Sequence, residues 1–418
     1  MRQARPNRRQ VLQGLAVTLG APLFVPARAL GLGGAVAASE RVTLGHLGVG
    51  NQGRHLFRSF QGCQGVQSVA VADAYKDRRE AAAAQGGGKA YDDFRDLLGR
   101  KDIDAVVIAT PDHWHVPLAL MAARANKDAY VEKPLGLSIE QDLLCRKVFA
   151  EHKRVFQYGT QQRSSAHCRL GCEMVKSGKI GPVRRIEVIA PDGGAGGSTV
   201  EIPVPSGLDY DLWLGPAPKK PFTASRCNPP GTYWIYDYSI GYLGGWGAHP
   251  LDIMVWGSDA ERDGPLTVEG TGVIPDKGLY DTVHGWNVTM TTGKGVTITF
   301  KPGGDLTTFI GAEGKVAVSR GGLKAEPASL MSWKPGPADR ALINSPNHYQ
   351  NFVDAVKSRG PTVSPLADAV RSDVISHLCD IAIRLKRKVT WDPRAEAIVG
   401  DAEASKMLHR PMRAPWTL

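Results

Sequence analysis

The segment Gly48-Val49-Gly50-Asn51-Gln52-Gly53 follows an apolar run directly and opens an amphipathic one. In a strand-to-helix turn of this pattern the glycines permit the tight turn, the close approach of a pyrophosphate and the packing of helix on sheet, while the helix N-terminus faces the phosphates. A second apolar run, Val69-Ala70-Val71-Ala72, ends in Asp73, 20 residues beyond Gly53, where a carboxylate can accept hydrogen bonds from ribose hydroxyls. Gly48, Gly50, Asn51, Gln52, Gly53 and Asp73 are therefore candidate dinucleotide-binding residues. A carboxylate at position 73 repels a 2′-phosphate, so NAD is expected over NADP, with Arg78 and Arg79 as the neighbours that would favour NADP.

Two more segments carry reactive side chains. Thr110-Pro111-Asp112-His113-Trp114-His115 follows the run Ala105–Ala109, and Glu132-Lys133-Pro134 closes the run that begins at Ala129. Loops leaving the carboxyl ends of parallel strands line the ligand crevice of a doubly wound sheet, so both should face the nicotinamide end of a cofactor. Thr110, Pro111, His113, His115, Glu132 and Lys133 join the candidate cofactor-binding set on that ground, and Lys133 is the candidate to hold or polarise a reacting hydroxyl. The six cysteines show no zinc-ligand spacing, and no metal is expected. Cys168 and Cys172 lie one helical turn apart, a placement that seldom satisfies disulfide geometry.

The elements that position these residues follow from periodicity. Strands are predicted at Val42–Leu47, Val66–Ala72, Ala105–Ala109, Ala129–Glu132 and Val155–Tyr158, alternating with helices at Gln52–Phe60, Lys76–Gln85, His115–Ala125 and Ile139–His152. That alternation predicts an α/β fold: an N-terminal Rossmann domain with a doubly wound parallel sheet, residues 39–160. Beyond it, a helix at Ala166–Lys176, a strand near Arg184–Ile189 and strand-like segments from Leu266 to Ser319 predict a C-terminal α+β domain with an open, largely antiparallel sheet, residues 161–386. Helices at His348–Ser358 and Ala367–Leu385 complete it, and a tail, 387–418, is expected to pack back on the body.

Residues 1–38 read as an export signal. Arg8-Arg9 precede an apolar run from Leu12 to Val25, and small-residue cleavage sites follow at Ala27-Arg28-Ala29 and Ala35-Val36-Ala37. The pair of arginines fits the twin-arginine type, so a periplasmic or secreted location is expected. The run is shorter than the roughly 20 residues that span a bilayer, and no membrane association is expected after cleavage. The net charge of +10 falls to about +5 once Arg2, Arg5, Arg8, Arg9 and Arg28 are set aside, and the remaining bases are interspersed with acids. A nucleic-acid partner is not implied. The 418 residues, 42% of them hydrophobic, suffice for two or three domains with a large core.

The glycine fingerprint, Asp73, Thr110–His115 and Glu132-Lys133-Pro134 together resemble the glucose-fructose oxidoreductase / inositol dehydrogenase family, Gfo/Idh/MocA. The likeness continues through Tyr210-Asp211-Leu212-Trp213-Leu214-Gly215-Pro216, Tyr236-Asp237-Tyr238-Ser239, Gly244-Gly245-Trp246-Gly247-Ala248-His249-Pro250-Leu251-Asp252, and Arg410-Pro411 with Ala414-Pro415-Trp416, as in exported bacterial members. The resemblance implies a sugar or polyol substrate and a catalytic pair, Lys133 and His249, with His249 as base. The family pattern has an Asp four residues before the histidine; here that position is Gly245. Asp237, Tyr238 or Asp252 would then supply support, Asp252 by orienting the imidazole from one helical turn away. Trp213, Tyr233, Trp234, Tyr236 and Trp246 are candidate sugar platforms, and a homo-oligomer, dimer or tetramer, is implied.

Export constrains the chemistry. Outside the cytoplasm no free nicotinamide pool reoxidises NADH, so a retained cofactor must be recycled internally. The reading is an NAD-dependent oxidoreductase of a carbohydrate hydroxyl. The alternatives are an NAD-dependent redox-cycling glycoside hydrolase and a non-catalytic sugar-binding protein.

Overall fold

The computed structural model describes residue 37 and residues 40–418; the predicted export signal, apart from residue 37, lies outside the described residues. The first sheet contains β1 (Val42–Leu47), β2 (Val66–Ala72), β3 (Lys89–Tyr91), β4 (Ala105–Ile108), β5 (Asp128–Val131) and β6 (Phe156–Tyr158). Its order is β3-β2-β1-β4-β5-β6 and every pairing is parallel. Both faces of β4 and β5 are buried, which is why these strands read as unbroken apolar runs rather than alternations.

The helices between them start where the sequence supplies caps. Ser138 accepts from the backbone N–H of Gln141 at the start of Ile139–Glu151, whose first turn carries Glu140 and Asp142 against the positive helix end. The helix Lys76–Ala82 is shorter than predicted, because the chain widens into a π turn at Ala83–Gly87. Two short elements escaped periodicity: β3 and the helix Phe94–Leu98, capped by Asp93.

The second sheet has nine strands: β7 (Val183–Ala190), β8 (Leu266–Val273), β9 (His284–Thr291), β10 (Thr297–Pro302), β11 (Leu306–Gly311), β12 (Lys315–Ser319), β13 (Gly322–Glu326), β14 (Val389–Asp392) and β15 (Ala397–Ile398). Their order is β13-β12-β11-β7-β10-β9-β8-β14-β15. Only β7 with β10 pairs in parallel; the other pairings are antiparallel. Along β9, buried Trp286, Val288 and Met290 alternate with exposed Gly285, Asn287 and Thr291, as expected of a sheet covered on one face. Helices Ala248–Gly257 and Leu366–Leu385, almost wholly buried, fill the space between this face and the Rossmann domain. One core cluster accordingly runs through both, from Leu47 and Ile108 to Leu251, Met290 and Ile375.

The tail returns to the site's outer wall. Arg410 lies over the Tyr236 ring and donates to the Tyr236 carbonyl, Arg413 donates to the Gly215 carbonyl, and Trp416 packs edge-on against Trp114. All six cysteines are buried and free, Cys168 and Cys172 included.

Candidate active site

The turn after β1 is shaped by two glycines at which a Cβ would clash with backbone. Gly48 has φ +81°, and a Cβ on Gly53 would stand 2.1 Å from the Gly48 carbonyl oxygen, so helix and strand touch through the missing side chain. Gly50 precedes the helix Asn51–Gln61 without a side-chain cap, leaving the first N–H groups free for an anion. Asp73, at the end of β2, accepts from the backbone N–H groups of Val49 at 2.8 Å and Tyr75 at 2.9 Å. These bonds fix the carboxylate beside the glycine turn, while burial pushes its pKa upward. The residues fit an adenosine diphosphate. We expect Gly53→Ala to cost about 1–3 kcal/mol of stability by overpacking and to weaken NAD binding about tenfold or more, read from thermal melts with and without NAD. An unchanged NAD-dependent rise in Tm would refute it.

The loop after β5 is pinned through Glu132. Its Oε1 accepts from Gln52 Nε2 at 3.0 Å and Gln161 Nε2 at 2.8 Å, and its Oε2 from the Lys133 backbone N–H at 3.3 Å. His115 bridges this loop to the one after β4, with Nδ1 at 2.6 Å from the Pro134 carbonyl and Nε2 at 2.9 Å from that of Thr110. Burial pulls its pKa down to about 4, against the two carbonyls, which favour the protonated ring.

These loops open on a cavity of about 240 Å³. Gly48, Gly50, Asn51, Gln52, Asp73, Thr110, Pro111, His115, Glu132 and Lys133 line it, as do Trp213, Asn228 and Tyr233. Of the predicted cofactor residues, Gly53 acts from behind through packing, and His113 is elsewhere: its Nε2 lies 3.0 Å from the Trp213 carbonyl, which also accepts from Trp114 Nε1.

The predicted supporting groups do not reach the cavity. Asp252 is held by Arg163 through two 2.7 Å bonds and is occupied rather than orienting His249. The Tyr238 hydroxyl accepts from Arg226, and its ring packs on His113 and Trp213. Asp237 is not a lining residue either. His249, on the buried helix Ala248–Gly257, is not among the lining residues: its Nδ1 has no partner among the described residues, and burial, with the charges of Lys133 and Arg320, pulls its pKa well below the usual range. Of the aromatic candidates, Trp213 and Tyr233 line the cavity, whereas Trp234 packs on Tyr242 and Tyr280, Tyr236 lies between Arg384 and Arg410, and Trp246 packs on His249. Asp112, which the sequence reading passed over, does line it.

Residues 42–160 match the family model for the NAD-binding Rossmann fold of the Gfo/Idh/MocA oxidoreductases, and residues 195–418 match that for the family's C-terminal alpha/beta domain. The chain belongs to the Gfo/Idh/MocA oxidoreductase family. Its cofactor is accordingly NAD, for which the glycine turn and Asp73 provide the fit. A "Glycosyl hydrolase family 109 protein" of Saccharopolyspora erythraea is 38% identical over 120 residues, 26% of each chain. An "Inositol 2-dehydrogenase" of Rhizobium meliloti is 32% identical over 151 residues, 36% of this chain and 46% of that protein. The alignments thus span about a quarter to a half of these relatives. Among solved structures, a levoglucosan dehydrogenase in complex with NADH superposes with a TM-score of 0.64 at 17% identity, covering 84% of this chain and 99% of that one, a likeness of fold.

Proposed function

We propose that this Gfo/Idh/MocA oxidoreductase oxidises a secondary hydroxyl of a sugar or polyol after export, using NAD that stays bound and is recycled within the catalytic cycle. The observation that carries the reading is that Lys133 lines the same cavity as the glycine turn and Asp73. A cation there meets the substrate oxygen where negative charge develops as the hydroxyl loses its proton. Bound NAD supplies the electron-pair acceptor for the hydrogen leaving carbon. Glu132, held by Gln52 and Gln161, fixes the loop that carries Lys133, and burial, with the Lys133 charge, holds the pKa of His249 well below the usual range. Trp213 and Tyr233 give the sugar an aromatic wall.

The deciding experiment is to purify the exported protein, denature it and quantify the nicotinamide nucleotide released per chain. Near-stoichiometric NAD is the expected result. Absence of nucleotide, with no affinity for added NAD, would overturn the reading in favour of a sugar-binding protein.

The family 109 relatives favour a second reading, in which the sugar is oxidised, loses its glycosidic group and is reduced again. It predicts free sugar from a nonreducing glycoside without net NADH; intact glycoside alongside accumulating NADH would exclude it.

A further inference from the structure

Outside the cavity lining, two carboxylates and an imidazole meet in the protein interior. Asp142 on the helix Ile139–Glu151, and Asp373 and His377 on Leu366–Leu385, are 0%, 1% and 5% exposed, and one donor atom of each lies within 4.8 Å of the others. Asp373 and His377 are four residues apart, the spacing that turns two side chains to one face of a helix. Among the described residues the ion pairs of both carboxylates are with His377 alone, whose Nε2 stands 3.8 Å from Asp142 Oδ2 and 3.5 Å from Asp373 Oδ2. Both Asp142 oxygens and Asp373 Oδ1 are buried without a hydrogen-bond partner among the described residues, and so is the Tyr158 hydroxyl, which lies within electrostatic reach of both carboxylates. Buried charges persist where they are paired or hold a metal, and one imidazole cannot balance two carboxylates.

We infer that Asp142, Asp373 and His377 bind a divalent metal ion, zinc by the character and spacing of the donors. Two ligands about 2.1 Å from a tetrahedral zinc stand about 3.4 Å apart, close to the 3.5 and 3.8 Å separations here. The Gly136 carbonyl, 3.2 Å from the same Nε2, offers a fourth donor, and the Gly136 N–H donates to Asp373 Oδ2 at 3.2 Å. A Cβ on Gly136 would stand 2.5 Å from Asp142 Oδ1, so glycine is what lets the loop lie against the pair. With the ion bound, neutral His377 presents its Nε2 lone pair, and the charge of the ion cancels that of the two carboxylates.

The role of the ion is structural. Gly136 follows Lys133 by three residues, so an ion held between two helices and this carbonyl braces the loop that carries Lys133, whichever reaction that lysine serves. With its ligands almost wholly buried, the ion enters as the chain folds.

The test takes the protein purified without an affinity tag and passed through metal-free buffer. Plasma mass spectrometry should find about one zinc per chain, and an Asp142→Asn/His377→Gln variant should have lost it. Excess EDTA should lower the urea midpoint of the parent, zinc chloride should restore it, and the variant should respond to neither. The responses of the parent decide the matter even if the variant does not fold. A parent that carries no metal, and whose midpoint is unmoved by EDTA, zinc or manganese, would overturn the inference; a protonated-carboxyl infrared band lost in Asp142→Asn would then show that protons balance the pair. Zinc retained in full by a folded double variant would overturn it as well, placing the ion elsewhere. Manganese in place of zinc would uphold the site and overturn the choice of metal.

Discussion

Lys133→Met protein is expected to turn over about 10²- to 10⁴-fold more slowly than the parent while binding NAD with nearly unchanged affinity. The separation follows from how the loop is held. Glu132 anchors it through Gln52 and Gln161, and His115 ties the Pro134 carbonyl to the neighbouring loop, so the ammonium is not what shapes the wall. The adenosine end is fixed by the Gly48–Gly53 turn and by Asp73, which is held by backbone N–H groups. Methionine keeps the stem and removes only the charge. The Lys133 charge also favours the ionised form of Asp112, so its loss pushes that pKa further up. Single-turnover rates against pH, with NAD affinity from calorimetry, check both halves. A rate loss matched by an equal loss of NAD affinity would mean that Lys133 serves cofactor binding rather than the reacting oxygen.

What the sequence disclosed depended on how far each signal extends along the chain. The strands of the first sheet were legible because a parallel strand buried on both faces is an apolar run, and the glycine turn because its backbone requirement falls on residue type. Val42–Leu47, Val66–Ala72 and Ala166–Lys176 have the ends their periodicity predicted. Three-residue β3 and five-residue Phe94–Leu98 are shorter than any period can reveal. Within the site, residues in sequence with the strand ends were legible, as Asp73, Thr110 and Lys133 are. Partners contributed from afar were not. His113 lies in the right loop but points to the Trp213 carbonyl, 100 residues on, and Asp252 is claimed by Arg163, 89 residues earlier. A one-turn spacing from His249 could not reveal that competitor. Asp112 was within view, as the third residue of a loop already singled out, but the burial of its Oδ2 without a partner among the described residues arises only in the fold.

That competitor is the basis of the second large effect: Arg163→Met is expected to destabilise the protein by about 3–5 kcal/mol. Arg163 is 1% exposed and holds Asp252 through two bonds and Asp368 through a third, all at 2.7 Å. Without it Asp252 remains as a buried anion, whereas Asp368 keeps Arg371 at 3.0 Å. The loss should therefore be local to Asp252, and a compensating change there should recover most of it. An Arg163→Met/Asp252→Leu protein replaces the buried pair with apolar volume, which is often close to neutral. The site should register the single change before the protein unfolds. Arg163 belongs to the turn that also carries Gln161, which holds Glu132, while Asp252 belongs to the helix that carries His249. Loosening their junction frees the Lys133 loop and the His249 helix together. Urea unfolding gives the stability change, and turnover of the still-folded single variant gives the coupling. If the double variant were no more stable than Arg163→Met, the cost would lie in lost packing around Trp256, over which the guanidinium sits at 5.3 Å, and not in the stranded charge.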